Sequence, residues 1–366
     1  MSGGRYHGPA VDHASRRSRL AARFGELGVD ALLVSRVVGV RYLTGFTGSN
    51  GQLLAIPDAG VFFTDSRYEE QSRREVPDLR RVIYPKRFGG AFAEACEAEG
   101  VRRVGFESAG MTHRSWRELD ELEGVDLVPV GEEVEFLRWS KDPEEIRLIE
   151  RAQEITDAAF ERIIGKLAEG VTERQVAFEL DVAMRELGAE RVGFDTIVAF
   201  GESAAEPHHR TSDRPLRRGD VAVMDFGSVV EGYHSDMTRM AAFGEPAREL
   251  RELHDLVLRA QLAGFESVRA GVTGGVVDEA ARAVIREAGQ AERFGHSLGH
   301  GVGLEIHEGP TLRSGSGDAL PQGAVVTVEP GVYVPGLGGV RIEDMVVVED
   351  RGCRPLPRTP RELLVL

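Results

Sequence analysis

At 366 residues, with 42% hydrophobic and 29% charged residues, the chain is long enough for two globular domains, and no apolar run reaches the ~20 residues of a membrane helix. A formal net charge of −15 opposes attraction to phosphate backbones and argues against nucleic acid as a partner. The two cysteines, Cys96 and Cys353, fall in no CxxC or Cys/His pattern, so buried free thiols are expected in place of a disulfide framework or a zinc–thiolate site.

In chain order, residues 1–16 carry neither helical nor strand periodicity and read as a loose tail. They lack the apolar core and small-residue cleavage site of a secretory signal, so a cytoplasmic address is expected. From 17 to 135, compact apolar runs alternate with helical patterns. Residues 30–35, 51–56, 60–64 and 103–106, bounded by Gly, Pro or Asp, predict strands. Apolar residues at helical spacing predict helices over 17–27, 66–76, 90–99 and 114–123. The first domain is thus read as mixed α/β.

The texture changes near Trp139, and the domain boundary is placed at 135–140, with a second domain over 140–366. Asp142 stands as N-cap before Pro143, Glu144 and Glu145, predicting a helix over 143–168. Thr172 with Gln175 makes a capping box for the next helix. This domain repeats itself: Gly170-Val171-Thr172 and Arg185-Glu186-Leu187-Gly188 recur 101 residues later as Gly271-Val272-Thr273 and Arg286-Glu287-Ala288-Gly289. The stretch from Gly219 to Gly227 likewise aligns with Gly323 to Gly331, placing Asp225 on Glu329 and, three inserted residues later, Asp236 on Glu343. A pseudo-twofold domain is expected, each half supplying two inward carboxylates to one cleft.

Asp225 and Asp236 lie eleven positions apart on two apolar, strand-like stretches, and Glu329 and Glu343 fourteen apart on two more, with His300 between the pairs. Four converging carboxylates repel unless some are protonated or cations neutralise them. An oxygen-rich set with one imidazole and no thiolate suits Mn²⁺, with Zn²⁺, Co²⁺ or Fe²⁺ feasible at the same geometry. Two such ions, ~3.5–4 Å apart, activate a water for hydrolysis. Gly299-His300-Gly301-Val302-Gly303 is not a phosphate loop, since the spacing is incomplete and no βαβ start precedes it. Its glycines are read as permitting close approach to a peptide.

The stretches Met224 to Arg239, His296 to Pro310, Val328-Glu329-Pro330-Gly331-Val332-Tyr333 and Val340-Arg341-Ile342-Glu343-Asp344 resemble the pita-bread metallopeptidases. The nearer branch holds aminopeptidase P and prolidase, which cleave between an N-terminal residue and a following proline. Arg41 to Gly48 and Thr64 to Tyr68 are similar to the creatinase-type domain that precedes the catalytic domain there. The fold implied is α+β: a pita-bread catalytic domain after a smaller α/β creatinase-like domain over 17–135.

The resemblance implies that Asp225 binds one ion alone, Asp236 and Glu343 bridge the pair, and His300 with Glu329 holds the second. Glu329 is then also the proton shuttle from water to leaving nitrogen. His208 contacts substrate near the leaving proline, His307 stabilises the tetrahedral intermediate, and His296 lies on the proline side. Arg341 pairs with the acids or guides a substrate carboxylate, while Thr238 and Tyr333 hydrogen-bond behind the ligands. His209, His113, His234 and His254 are read as structural. The expected activity is removal of a residue before proline, from dipeptides or longer peptides, by a homodimer. The alternatives are an inactive pita-bread binding module, a methionine aminopeptidase and a creatinase-like enzyme.

Overall fold

The computed structural model describes residues 11–366. Residues 1–10 of the expected tail lie outside the described residues. The chain forms two compact units, up to Arg138 and from Trp139. No helix among the described residues is long and apolar enough to cross a membrane.

The first unit contains helices α1 (His13–Ala21), α2 (Phe24–Leu27), α3 (Val37–Thr44), α4 (Glu69–Glu75), α5 (Phe88–Ala98), α6 (His113–Asp120) and α7 (Glu133–Trp139). Its strands are β1 (Ala31–Val34), β2 (Gln52–Ile56), β3 (Ala59–Thr64), β4 (Arg80–Ile83), β5 (Arg103–Glu107) and β6 (Asp126–Val130). They make one mixed sheet in the order β4-β3-β2-β1-β5-β6. Alternate residues Leu33, Leu54 and Phe63 turn to one face and meet Phe92 of α5 and Leu119 of α6. The helix expected from Arg17 starts earlier, at His13, because Asp12 caps it through the Ser15 N–H at 2.9 Å, so residues 13–16 are not tail.

The second unit opens with α8 (Pro143–Ile164) and α9 (Glu173–Glu186), and both capping boxes, Asp142 with Glu145 and Thr172 with Gln175, are formed. The helix expected to reach residue 168 stops at Ile164, before Gly165. Then come β7 (Arg191–Val192), β8 (Ile197–Phe200), β9 (Val221–Phe226), β10 (Ser228–Val230), β11 (Tyr233–His234) and β12 (Met237–Ala242). The second half follows with α10 (Arg248–Ser267), α11 (Gly274–Glu287), β13 (Gly299–Gly301), β14 (Glu308–Leu312), β15 (Val325–Val328), β16 (Gly331–Val334), β17 (Gly338–Arg341) and β18 (Asp344–Glu349). β19 (Gly352–Pro355) and β20 (Leu364–Val365) complete the edges.

The halves share one plan. A helix pair precedes a strand, β8 or β13, that pairs antiparallel with the first strand of a hairpin, β9–β12 or β15–β18, and a small inner hairpin, β10–β11 or β16–β17, is spliced into each. Even the isolated bridges match, Thr172 to Pro215 and Thr273 to Ala319. Helices α10 and α11 cover the second half with Val257, Ala260, Ala281 and Ile285 against Val326 and Val328. Ile155, Ala159, Leu180 and Met184 cover the first against Met224 and Phe226.

Candidate metal centre and active site

Where the inner hairpins leave the outer ones, the strand ends carry the acids. Asp225 lies in β9 opposite Thr238, Asp236 immediately precedes β12, Glu329 follows β15, and Glu343 precedes β18. His300 is the middle residue of β13, which pairs with β15. All five expected ligands line one cavity of about 500 Å³ with His208, His296, His307 and Arg341. One ligand atom each from Asp236, His300 and Glu343 falls within a 4.8 Å cluster. His300 Nε2 stands 3.6 Å from Asp236 Oδ2 and 3.4 Å from Glu329 Oε1.

The donors are oriented from behind. His300 Nδ1 donates to its neighbour's carbonyl, Gly301 O, at 3.0 Å, which turns the Nε2 lone pair toward the acids. Thr327 Oγ1 donates to Glu329 Oε1 at 3.2 Å and accepts the His300 N–H at 3.1 Å. Thr238 Oγ1 donates to Glu343 Oε2 at 2.7 Å and accepts from Arg341 Nε at 3.1 Å. Arg341 also bonds Asp225 Oδ2 at 2.7 Å, Tyr333 Oη at 3.0 Å and the Pro207 carbonyl at 3.1 Å, so most of its donors are engaged within the protein. Tyr333 passes a hydrogen bond on to His296 Nε2 at 3.0 Å, while His296 Nδ1 donates to Ser297 O. With both nitrogens engaged, His296 offers the cavity ring surface. His208 and His307 are exposed, and the His307 ring meets His300 edge-on at 4.3 Å.

The electrostatics of this cluster ask for cations. Burial, then the charges of Asp225 and Glu329, lifts Asp236 well above the usual carboxylate range, and burial with its three acidic neighbours does the same to Glu343. Burial raises Glu329 to about 8 despite Arg341, and raises Asp225 despite its bond to the same guanidinium. His300 is pushed down to about 4 by burial and by His307, so its imidazole is neutral at pH 7, the form that ligates. Asp225 Oδ1 is buried without a hydrogen-bond partner. An orphaned carboxylate oxygen, mutually repelling acids and a neutral imidazole make a donor set that fits divalent cations.

His209, read as structural, is indeed tied down: its Nε2 meets the buried Glu173 carboxylate at 2.9 Å. The glycines of 299–303 answer a different demand from approach to a peptide. A Cβ on Gly299 would sit 2.0 Å from Thr327 O, and on Gly301 2.1 Å from Gly309 O, so packing between strands excludes side chains there. The sequence reading missed Thr327, although it sits two residues before Glu329 on the same strand face. Phe194, Asp195, Ile197, Ser297 and Ile306 also line the cavity, and nothing in their local pattern marks them.

Fold and site together define a metal-dependent hydrolase with a duplicated catalytic unit. Residues 147–350 match the model of metallopeptidase family M24, and residues 16–140 match the creatinase/prolidase N-terminal domain. A Bacillus subtilis peptidase, YqhT, is 40% identical over 95% of this chain and 99% of its own length. The structure of an Xaa-Pro dipeptidase from Bacillus anthracis superposes with a TM-score of 0.94 at 39% identity, covering 97% of this chain and 100% of that one. An X-Pro aminopeptidase from Thermotoga maritima gives 0.88 at 37% identity, over 96% of this chain and 100% of its own. The chain belongs to metallopeptidase family M24.

Proposed function

We propose that the protein is a metal-dependent exopeptidase that hydrolyses the bond between an N-terminal residue and a following proline, using two divalent ions, Mn²⁺ foremost. The observation that carries this reading is the convergence of Asp225, Asp236, His300, Glu329 and Glu343 in one cavity with three further histidines. The relatives' names, Xaa-Pro dipeptidase and X-Pro aminopeptidase, supply the substrate class.

Asp225, Asp236, His300, Glu329 and Glu343 would hold the ions, which when bound supply a Lewis acid and make water acidic enough to attack at neutral pH. Glu329, oriented by Thr327, takes the proton of the attacking water and returns it to the leaving nitrogen. That nitrogen, proline's, leaves only once protonated, because an amine anion is too basic to be expelled. Burial holds the His307 pKa below its ordinary value, so at pH 7 the ring is neutral with one N–H to give to the developing oxyanion. His208 and the ring face of His296 flank the proline side. A homodimer is proposed as the working assembly, to be checked by light scattering.

The test is turnover of Ala-Pro and of a longer Ala-Pro peptide by metal-stripped and Mn²⁺-reloaded protein. Reloading restores cleavage of at least one of them. Stripped protein that cleaves as fast as reloaded protein refutes the mechanism. A binding module would need a broken ligand set, and all five side chains are present.

A further inference from the structure

Away from the acid cluster, the second unit buries a lysine. Lys141 is one of three lysines among 45 basic residues, and its ammonium lies 2.7 Å from Glu308 Oε1 with both side chains 1% exposed. Such a pair gains little net stability over an apolar pair of the same volume, so its return has to be sought in the geometry it imposes. We propose that Lys141 is a positioning residue for the reaction, acting through Glu308 to fix His307 over the cavity.

Glu308 pairs with Gly301 across β13 and β14. The two cavity histidines, His300 and His307, are each one residue from that pair, and their rings touch. Between them, residues 302–307 wrap around the Glu308 carboxylate. The Glu305 N–H donates to its Oε2 at 3.3 Å, and Gly303 passes so close that a Cβ there would lie 2.4 Å from its Oε1. The Gly303 carbonyl is held from outside by the His234 N–H at 2.9 Å. The carboxylate is therefore the inner scaffold of the loop that carries His307, and Lys141 is its counter-charge. Lys141 itself is fixed independently, by its N–H to the Gly323 carbonyl at 3.1 Å and by the capped start of α8 one residue on. With the ammonium gone, a buried carboxylate draws in water and the loop opens around it. An ångström at His307 is enough to lose an aimed hydrogen bond.

This rests on His307 as the group that stabilises the intermediate, and a double-mutant cycle separates the two ideas. Lys141→Met, His307→Ala and the double variant are compared for kcat, KM and bound Mn²⁺ on an Xaa-Pro substrate. Lys141→Met is expected to lower kcat by about tenfold or more with KM and metal content within about twofold, because the lost contact exists only in the transition state. In the His307→Ala background the same change costs less than about twofold. If Lys141→Met is poorly folded, Lys141→Met with Glu308→Gln removes the charge that Lys141 faced and takes its place in the cycle. Equal losses in both backgrounds, or a loss confined to KM or metal content, overturn the proposal. A His307→Ala variant with unchanged kcat overturns the assignment of His307 itself.

Discussion

Replacing Arg239 by methionine tests how the two halves are joined. The guanidinium is 2% exposed and spends all five N–H groups: two on the Thr359 carbonyl at 3.2 and 2.8 Å, one each on the Thr238 and Glu343 carbonyls at 3.0 and 2.7 Å, and one on Asp344 Oδ1 at 2.5 Å. Thr238 belongs to the first half, and Glu343 and Asp344 to the second. Methionine matches the stem but leaves a wholly buried carboxylate short of a partner, which for a broken buried pair costs ~3–5 kcal/mol. Asp344 keeps Arg361, and the Thr238 carbonyl keeps the Glu343 N–H at 3.3 Å, which puts the loss near the lower bound, about 3 kcal/mol. For a unit of this size that lowers Tm by about 6–12 °C. Calorimetry and urea denaturation measure it. Arg239→Lys should recover little, since one ammonium cannot reach four acceptors spread around a planar fork. A loss under about 1 kcal/mol would refute the idea that this residue ties the hairpins together.

His300→Ala should lose one ion in preference to the other, seen as about one tightly held Mn²⁺ per chain by elemental analysis after dialysis, because the remaining ligands are all carboxylates. Equal weakening of both ions would contradict the ligand assignment. The His209–Glu173 pair should give a pH-dependent stability. Burial opposes the charge of His209, but Glu173 and Glu206 raise its pKa above 6.5, and burial opposes that of Glu173, but bonds from Ser212, Phe200 and His209 lower its pKa below 4.5. The histidine's share is full below pH 6.5 and fades as pH rises through its raised value; the glutamate's is full above pH 4.5 and fades as pH falls through its lowered one. The stability difference between wild type and His209→Ala should therefore be greatest between those limits and shrink on either side of them, and a flat difference by denaturation at several pH values would discount the pair. Gly301→Ala must push β13 from β14 and should cost more than the ~1 kcal/mol of a mild core change, with loss of turnover at unchanged substrate binding; near-normal melting and activity would show that the strands give way.

What the sequence made legible was what sits in local pattern. The inner strands β1, β2, β3 and β5 are continuous apolar runs and were all expected, whereas β4 and β6 are the two edges of the same sheet and were not. Each edge strand is blunted, β4 by Arg80 and Arg81 and β6 by Pro129, the devices that keep an exposed edge from pairing, and they also erase the strand signal. Helix α3 was missed because Val37-Val38-Gly39-Val40 carries β-branched residues and a glycine, and burial of Val40, Tyr42 and Leu43 overrides that propensity. At the site, each expected ligand stands on a strand or immediately beside one, next to a pattern readable alone. Lys141 with Glu308, Arg239 with Asp344 and His209 with Glu173 are separated by 167, 105 and 36 positions, so only the fold brings them together.

The duplicated plan does not make the surroundings of the two acid pairs alike. In the first half Asp225 faces Thr238 across the hairpin, whereas in the second Val328 faces Asp344, so the aligned acids do not occupy the same register. Thr238 uses its place opposite Asp225 to bond Glu343 of the other half, while the Asp225 carboxylate turns to Arg341 of that half. Each half thus supplies the groups that orient the other's acids. His300 enters from β13, and the corresponding strand of the first half, β8, brings only Ile197 to the cavity wall. The β13 side therefore presents an imidazole 3.4 Å from Glu329, where the β8 side presents hydrocarbon.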